Sequence, residues 1–323
     1  MIIPIVIGMD IGGTNADFAF IDLKGNILSK HSIPTSEFET ANSLVMIVKD
    51  IAEKTIDKLK GRYVIRGIGI GAPNGNFYRG TIEYAPNMKW KGIIPLAQYF
   101  KQAFGVPCYL TNDANAAAIG EMMFGRAKNI KDFIMITLGT GLGSGIVANG
   151  NLIYGHDGFA GELGHVIVKE NGRQCGCGRK GCLETYASVT GIKRTIVRML
   201  EANHVRSELE GVSFNQLSGK MIEKAALNGD SVALDAFKFT GNVLGKALAN
   251  AVAFSSPQLI VLFGGLAQSG DLIVKPTKEA MEKHLLRIYK SKVPIIISGL
   301  KGNEAALLGA AALVWKELGV AKD

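Results

Sequence analysis

Cys175, Cys177 and Cys182 fall within eight positions in C-x-C-x4-C spacing, and His165 lies ten residues before the first of them. Three thiolates and an imidazole form a closed tetrahedral donor set, the kind that binds structural Zn²⁺ and leaves no position for a catalytic water. Gly176, Gly178 and Gly181 let the chain fold back around one ion. The intervening NGRQ and GRK are polar, which argues against core thiols, and no C-x-x-C is present to form a redox pair. Glu162 stands just before this set and Glu184 just inside its far edge. A metal that pins those loops would hold both carboxylates, an arrangement suited to accepting hydrogen bonds from sugar hydroxyls.

Three glycine turns suggest a second kind of chemistry. Asp10–Asn15 reads DIGGTN, Gly139–Gly145 reads GTGLGSG, and Gly264–Gly265 follows an apolar run. Glycine lets the backbone approach an anion and aim several N–H groups at it. Gly12, Gly13, Gly139 and Gly141 fit that role, with Thr14 and Thr140 adding hydroxyl donors. Asp10 is placed to hold Mg²⁺ beside a polyphosphate. No GxxxxGK[ST] occurs, so this is not a Walker-type loop. Gly67, Gly69 and Ala72 fit a loose GxGxxA, but Pro73 and Gly75 follow where a helix should start, which argues against a Rossmann site.

A third candidate is Asp113 in LTNDANAAAIGE, after an apolar run and at the head of an alanine-rich one. An acid there reads in two ways: as an N-cap satisfying orphan N–H groups, or as a base that takes the proton of a hydroxyl attacking phosphorus. Asn112 adds a second hydrogen-bonding side chain at the same strand end.

The elements that must position these groups alternate between strand and helix. Residues 3–9 and 16–22 predict two strands joined by the DIGGTN turn, and Leu44, Ile47, Val48, Ile51, Ile56 and Leu59 predict a helix over 40–60. A strand GIGIG, a helix PLAQYFKQAFG, a strand VPCYLTND and a helix ANAAAIGEMMFG follow. FIMITLGTGLGSGIVANGNLI then repeats the strand–turn–strand of the N-terminus, which predicts an internal duplication. Residues 186–255 read as largely helical, SPQLIVLFGGLA and VPIIISGL as strands, and NEAALLGAAALVWKEL as a closing helix. The predicted division is a smaller lobe of residues 1–115 plus 303–323 and a larger one of 116–302.

With 47% apolar and 20% charged residues, the composition is that of a soluble α/β protein. No apolar run is long enough to span a bilayer, and MIIPIVIGMD carries neither a basic leader nor a cleavage site. The net charge is +8, but no basic run is interleaved with aromatics, so a nucleic-acid partner is not expected and a basic surface suits anionic small molecules. Outside the cluster only Cys108 remains, which is no disulfide framework and predicts a reducing, cytoplasmic location.

DIGGTN, LTNDANAAAIGE, LGTGLGSGIV, GELGH and CGCGRKGCLE, in this order, resemble the ROK family of repressors, open reading frames and kinases over essentially the whole chain. The resemblance implies an actin-like ATPase (ribonuclease H-like) fold: two duplicated α/β lobes around a cleft, with ATP·Mg²⁺ and a hexose between them. It makes Asp113 the base and assigns sugar contacts to Asn112, Glu162, His165 and Glu184, with His165 also ligating zinc beside the three cysteines. Asn87 and the turn at Gly71–Gly75 resemble further sugar-side elements, although position 74 is Asn where the family often has Gly. The implied activity is phosphorylation of a hexose, foremost glucose, at its 6-hydroxyl, by a homodimer. An N-acetylhexosamine kinase would share these motifs and differ in the loops at 71–90 and 154–160. A sugar-sensing repressor would carry a winged helix-turn-helix ahead of the core, and a phosphate hairpin starting at residue 3 is not expected to leave room for one.

Overall fold

The computed structural model describes residues 2–59, 62–85, 88–202, 206–300, 302 and 304–320. They form two compact units: residues 1–129, 152–160 and 299–323 make the first, and 130–151 with 161–298 the second. In chain order the first unit begins with β1 (Ile3–Ile11), β2 (Asn15–Asp22), β3 (Ile27–Pro34), α1 (Ala41–Lys58) and β4 (Tyr63–Gly71). It continues through β5 (Gly75–Asn76), β6 (Thr81–Glu83), β7 (Ile93–Ile94), α2 (Leu96–Phe104), β8 (Cys108–Thr111) and α3 (Asp113–Phe124). The second unit holds β9 (Phe133–Leu138), β10 (Leu142–Ala148), the first residue of β11 (Asn151–Leu152), α4 (Val189–Ala202), α5 (Gly219–Leu227) and α6 (Ser231–Ser255). Its last elements are β12 (Leu259–Phe263), α7 (Asp271–His284) and β13 (Ile295–Ile297), after which α8 (Glu304–Glu317) returns to the first unit.

The main sheet of the first unit has the order β3-β2-β1-β4-β8, and that of the second β11-β10-β9-β12-β13. In both, an antiparallel hairpin leads and two parallel strands follow on the other side of its first strand. That shared plan is the predicted duplication. The period-two pattern of β1 explains why both faces of its sheet are covered. Ile5, Ile7 and Met9 pack with Leu44 and Val48 of α1 and Phe100 of α2, whereas Val6 on the other face packs with Leu307, Ala311 and Val314 of α8. Gly8 and Gly69 bring the sheet against the α8 backbone, where a Cβ at either position would collide with a carbonyl of that helix. The glycines of GIGIG therefore serve helix packing.

One expectation differs, and one helix lies where none was expected. The division at 115/116 would cut through α3, which belongs whole to the first unit. The cause is small-residue packing: a Cβ on Gly120 would meet Gly309 of α8 at 2.8 Å, so the two helices lie nearly backbone to backbone. α7 has no counterpart in the sequence reading, and it carries Pro276 within it, a residue that removes a helical hydrogen bond. Gly241 of α6 provides the space, with Pro276 seated directly against it. Among the described residues no helix is long and apolar enough to cross a membrane.

Candidate active site

In the first unit the strand registers set Asp10, Gly71 and Thr111 side by side, at the C-terminal ends of three parallel strands. Such ends are where open α/β sheets bind ligands. The β1–β2 hairpin turns through Gly12, Gly13 and Thr14, closed by the Gly12 N–H donating to the Asn15 carbonyl at 2.8 Å. Thr14 is exposed at its tip. Burial lifts the Asp10 carboxyl to about 6, and the neighbouring Asp113 and Asp17 carboxylates push it the same way. Three carboxylates sharing this region fit a cation better than they fit each other.

The next chain segment lies against the same strand ends. Asn74 adopts φ 51° and its Nδ2 donates to the Glu83 carbonyl at 3.0 Å. Asn tolerates this left-handed conformation, which explains how it stands where the family often has Gly. Gly75 lies so close to Thr111 that a Cβ would collide with its backbone. Asn87, the other sugar-side expectation, lies outside the described residues.

At the head of α3 the structure assigns the cap. The cap is Asn112, whose Oδ1 accepts from the Asn115 N–H at 2.7 Å. Asp113 is the first residue of the helix, where its Oδ1 accepts from the Ala114 N–H at 2.8 Å and its side chain is exposed. Burial nevertheless raises its carboxyl pKa, against the lowering effect of the Ala114 N–H and its own. The carboxylate thus keeps an open face while enough protein surrounds it to make it a stronger base than a free aspartate.

The second unit carries the remaining candidates. Its hairpin turn spans Gly139, Thr140 and Gly141, with Gly139 N–H donating to the Gly141 carbonyl at 3.0 Å and Thr140 exposed. Gly264 and Gly265 lie beside it: Leu266 N–H donates to the Leu138 carbonyl at 3.1 Å, and Gly264 has φ 98°. Two of the three glycine turns therefore share this unit, and the third belongs to the first.

His165, Cys175, Cys177 and Cys182 present four donor atoms all within 4.8 Å of one another. Cys177 and Cys182 Sγ are 3.6 Å apart, and Cys175 Sγ is 3.7 Å from His165 Nδ1. A tetrahedral ion with Zn–S arms of about 2.3 Å needs donor separations of about 3.8 Å, so the set fits zinc. Its electrostatics divide the thiols: against the effect of burial, hydrogen bonds from Arg179 and the neighbouring cysteines lower Cys177 to about 6. Burial pushes the Cys175 thiol up to about 12, with the Glu184 carboxylate contributing, and burial is also the first cause that raises Cys182. Thiolates at these positions call for a compensating cation. His165 faces the set with Nδ1 and places Nε2 3.9 Å from Glu162 Oε2. Glu184 Oε1 lies 3.5 Å from Cys175 Sγ, and its Oε2 accepts from the Leu142 N–H at 3.1 Å.

The sequence reading missed Ser144, whose hydroxyl donates to the Gly161 carbonyl and accepts from Leu163 N–H at 3.2 Å. The available signal was a buried-face serine in the alternating strand LGSGIV.

Comparison with known proteins fits this architecture: the ROK family profile matches residues 6–317. The chain belongs to the ROK family. It is 36% identical to the glucokinase of Halalkalibacterium halodurans, over 96% of this chain and 95% of that protein. The crystal structure of a ROK family glucokinase from Streptomyces griseus in complex with glucose and AMPPNP superposes with a TM-score of 0.76, at 34% identity, covering 96% of this chain and 98% of that one. A ROK family transcriptional regulator, a homologue of the Escherichia coli MLC protein, superposes with a TM-score of 0.87 at 26% identity, covering 98% of this chain and 80% of that one. The ROK fold is that of actin-like ATPases, and the duplicated sheet order follows it.

Proposed function

We propose that this ROK protein is an ATP-dependent hexose kinase that converts glucose to glucose 6-phosphate. The observation that carries the reading is the division of labour at the head of α3. Asn112 caps the helix, and Asp113 is left with an exposed carboxylate of raised basicity. Asp113 takes the proton of the 6-hydroxyl as that oxygen bonds to the γ-phosphorus, the bond from phosphorus to the β–γ bridging oxygen breaks, and ADP leaves. The sugar contacts are Gly75, Asn87, Asn112, Glu162, His165 and Glu184. Asn112 offers its amide N–H groups, its oxygen being occupied by the cap, and His165 offers Nε2 while Nδ1 faces the thiols.

The turns at Gly12–Thr14, Gly139–Gly141 and Gly264–Gly265 bind the nucleotide phosphates through backbone N–H groups. Asp10 would hold Mg²⁺, which when bound neutralises phosphate charge. His165, Cys175, Cys177 and Cys182 would hold Zn²⁺, which when bound fixes the loops that carry Glu162 and Glu184. Three thiol ligands that must stay reduced fit the cytoplasm.

We further propose a homodimer. Phe254 is 93% exposed and borders an apolar cavity of about 850 Å³ lined by Val166, Ile167, Phe239 and Val243. A knob and a hollow on one face suit a two-fold contact between copies, and light scattering measures the assembly.

The functional test is ADP release with glucose, mannose, fructose, N-acetylglucosamine and N-acetylmannosamine. The expected result is fastest turnover with glucose. Preference for an N-acetylated sugar would reassign the substrate, and no ADP from any of them would overturn the kinase reading.

A further inference from the structure

The loop that carries Glu162 and the strand that leaves the second glycine turn meet at one buried hydroxyl. Ser144 is 2% exposed, lies on β10 just beyond that turn, and uses its side chain twice. It donates to the Gly161 carbonyl and accepts from the Leu163 N–H at 3.2 Å, so it grips the backbone on both sides of Glu162. Glu162 itself is exposed and precedes a short helical turn, Leu163–His165, in which no side chain caps the start. A second contact ties the same strand to the turn that carries Glu184, the Leu142 N–H donating to Glu184 Oε2 at 3.1 Å. One link holds the backbone around Glu162 and the other holds the Glu184 carboxylate itself, both from the end of the glycine turn and within the second unit.

We propose that Ser144 is a positioning residue: its hydroxyl holds Glu162 in place for the hexose and couples hexose binding to nucleotide binding at the Gly139–Gly141 turn. This rests on the kinase reading above. The Leu163 N–H also donates to the Gly161 carbonyl at 2.9 Å, closing the turn around Glu162, so losing the hydroxyl removes the link that holds this turn to β10 without unpairing its backbone. By linkage, whatever the nucleotide does to hexose affinity through this strand the hexose does equally to nucleotide affinity.

The experiment compares the wild-type protein, Ser144→Ala and Ser144→Thr, each loaded with zinc. Hydrogen exchange of the peptide spanning residues 159–166 is followed without ligand, and glucose affinity is measured with and without AMPPNP. In Ser144→Ala the peptide should lose protection while zinc content and the protection of residues 175–182 stay unchanged. Glucose affinity should fall about three- to tenfold, the loss of one buried hydrogen bond, and its dependence on AMPPNP should shrink. Ser144→Thr keeps the hydroxyl and should recover most of both, which also separates the effect from misfolding. Unchanged exchange in Ser144→Ala would overturn the clamp, and lost protection with unchanged glucose affinity would overturn its positioning role. If the wild-type protein itself bound no glucose, the kinase reading would fail and the coupling with it. If Ser144→Ala kept the full dependence of glucose affinity on AMPPNP, the kinase reading would stand and the link to the nucleotide turn would be refuted.

Discussion

In both units the first strand of the sheet runs into a glycine turn and returns antiparallel, yet near the end of that strand the two carry opposite chemistry. Asp10 pairs across its hairpin with Asp17, and burial together with Asp113 and Asp17 lifts its carboxyl to about 6. Thr137, which pairs across its own hairpin with Gly143, has a neutral side chain whose Oγ1 accepts from the Gly143 N–H at 3.1 Å. The first unit concentrates acids at its strand ends, where a cation and a proton acceptor are useful. The second has a neutral threonine at the matching place, and the carboxylate at the end of its turn, Glu184, is engaged by the Leu142 N–H, which leaves a turn of small residues suited to an anionic phosphate. The two units also differ in how reactive groups are held. Asp10 and Asp113 sit on a strand and a helix, whereas Glu162 precedes one short 3-10 turn and Glu184 lies in another, beside four side chains whose donor atoms could hold a metal ion. On the proposed reading, one scaffold gives a site fixed by regular structure and a site that a bound metal would fix.

The sharpest way to break this comparison is to remove the base. Asp113→Asn keeps size and helix position, so glucose affinity should stay near wild type while kcat falls by about 10²–10⁴-fold, the usual range for general base catalysis. ADP-release kinetics beside direct glucose titration separate the two quantities. A modest change in kcat would remove Asp113 from the chemistry and leave its exposed carboxylate unexplained.

Next in size is metal removal. Chelation, or Cys182→Ala at a buried ligand, should weaken hexose binding by about 10- to 100-fold, the range for disturbing metal-supported groups. Hydrogen exchange should rise over residues 161–186 and stay unchanged over β1 and α3. Equal loosening of both units would show that the first unit depends on coordination as well.

The sequence made the candidate groups of both units legible because they lie in short, local patterns. The cysteine spacing specified a closed donor set, and the two glycine hairpins showed the duplication. What it concealed was non-local. The cap of α3 could not be assigned to Asn112 over Asp113 without backbone geometry, since either side chain can serve at that point. The extent of the first unit depends on Gly120 meeting Gly309, almost the whole second unit apart in sequence. α7 carries Pro276, whose accommodation depends on Gly241 in another helix. Ser144 escaped because a lone serine in a strand carries no motif.

Asp10 provides a smaller, pH-dependent contrast. Its folded-state pKa of about 6 lies above the ordinary 3.8. Its contribution to stability is therefore fully present below the ordinary value and lost as pH rises through about 6, where the ionised carboxylate burdens the folded state. In ligand-free protein Asp10→Asn should raise the melting temperature above that pH and give no gain in acid, while Mg²⁺-dependent turnover falls. Thr137→Ala should show no such pH dependence. Thermal unfolding of both variants across this range tests whether the charge asymmetry between the units is real.

The smallest effect separates two jobs carried by one side chain. Asn112 Oδ1 caps α3 at 2.7 Å from the Asn115 N–H, and its amide N–H groups are assigned to the sugar. Asn112→Ala loses both and should cost about 1 kcal/mol of stability, the typical worth of an N-cap. Asn112→Ser restores an N-cap oxygen but has no amide, so its melting temperature should return close to wild type while its KM for glucose stays raised. If the serine variant recovered KM together with stability, Asn112 would act only through the helix it caps, and the sugar contacts of the first unit would rest on Asp113 and the loop at Gly75.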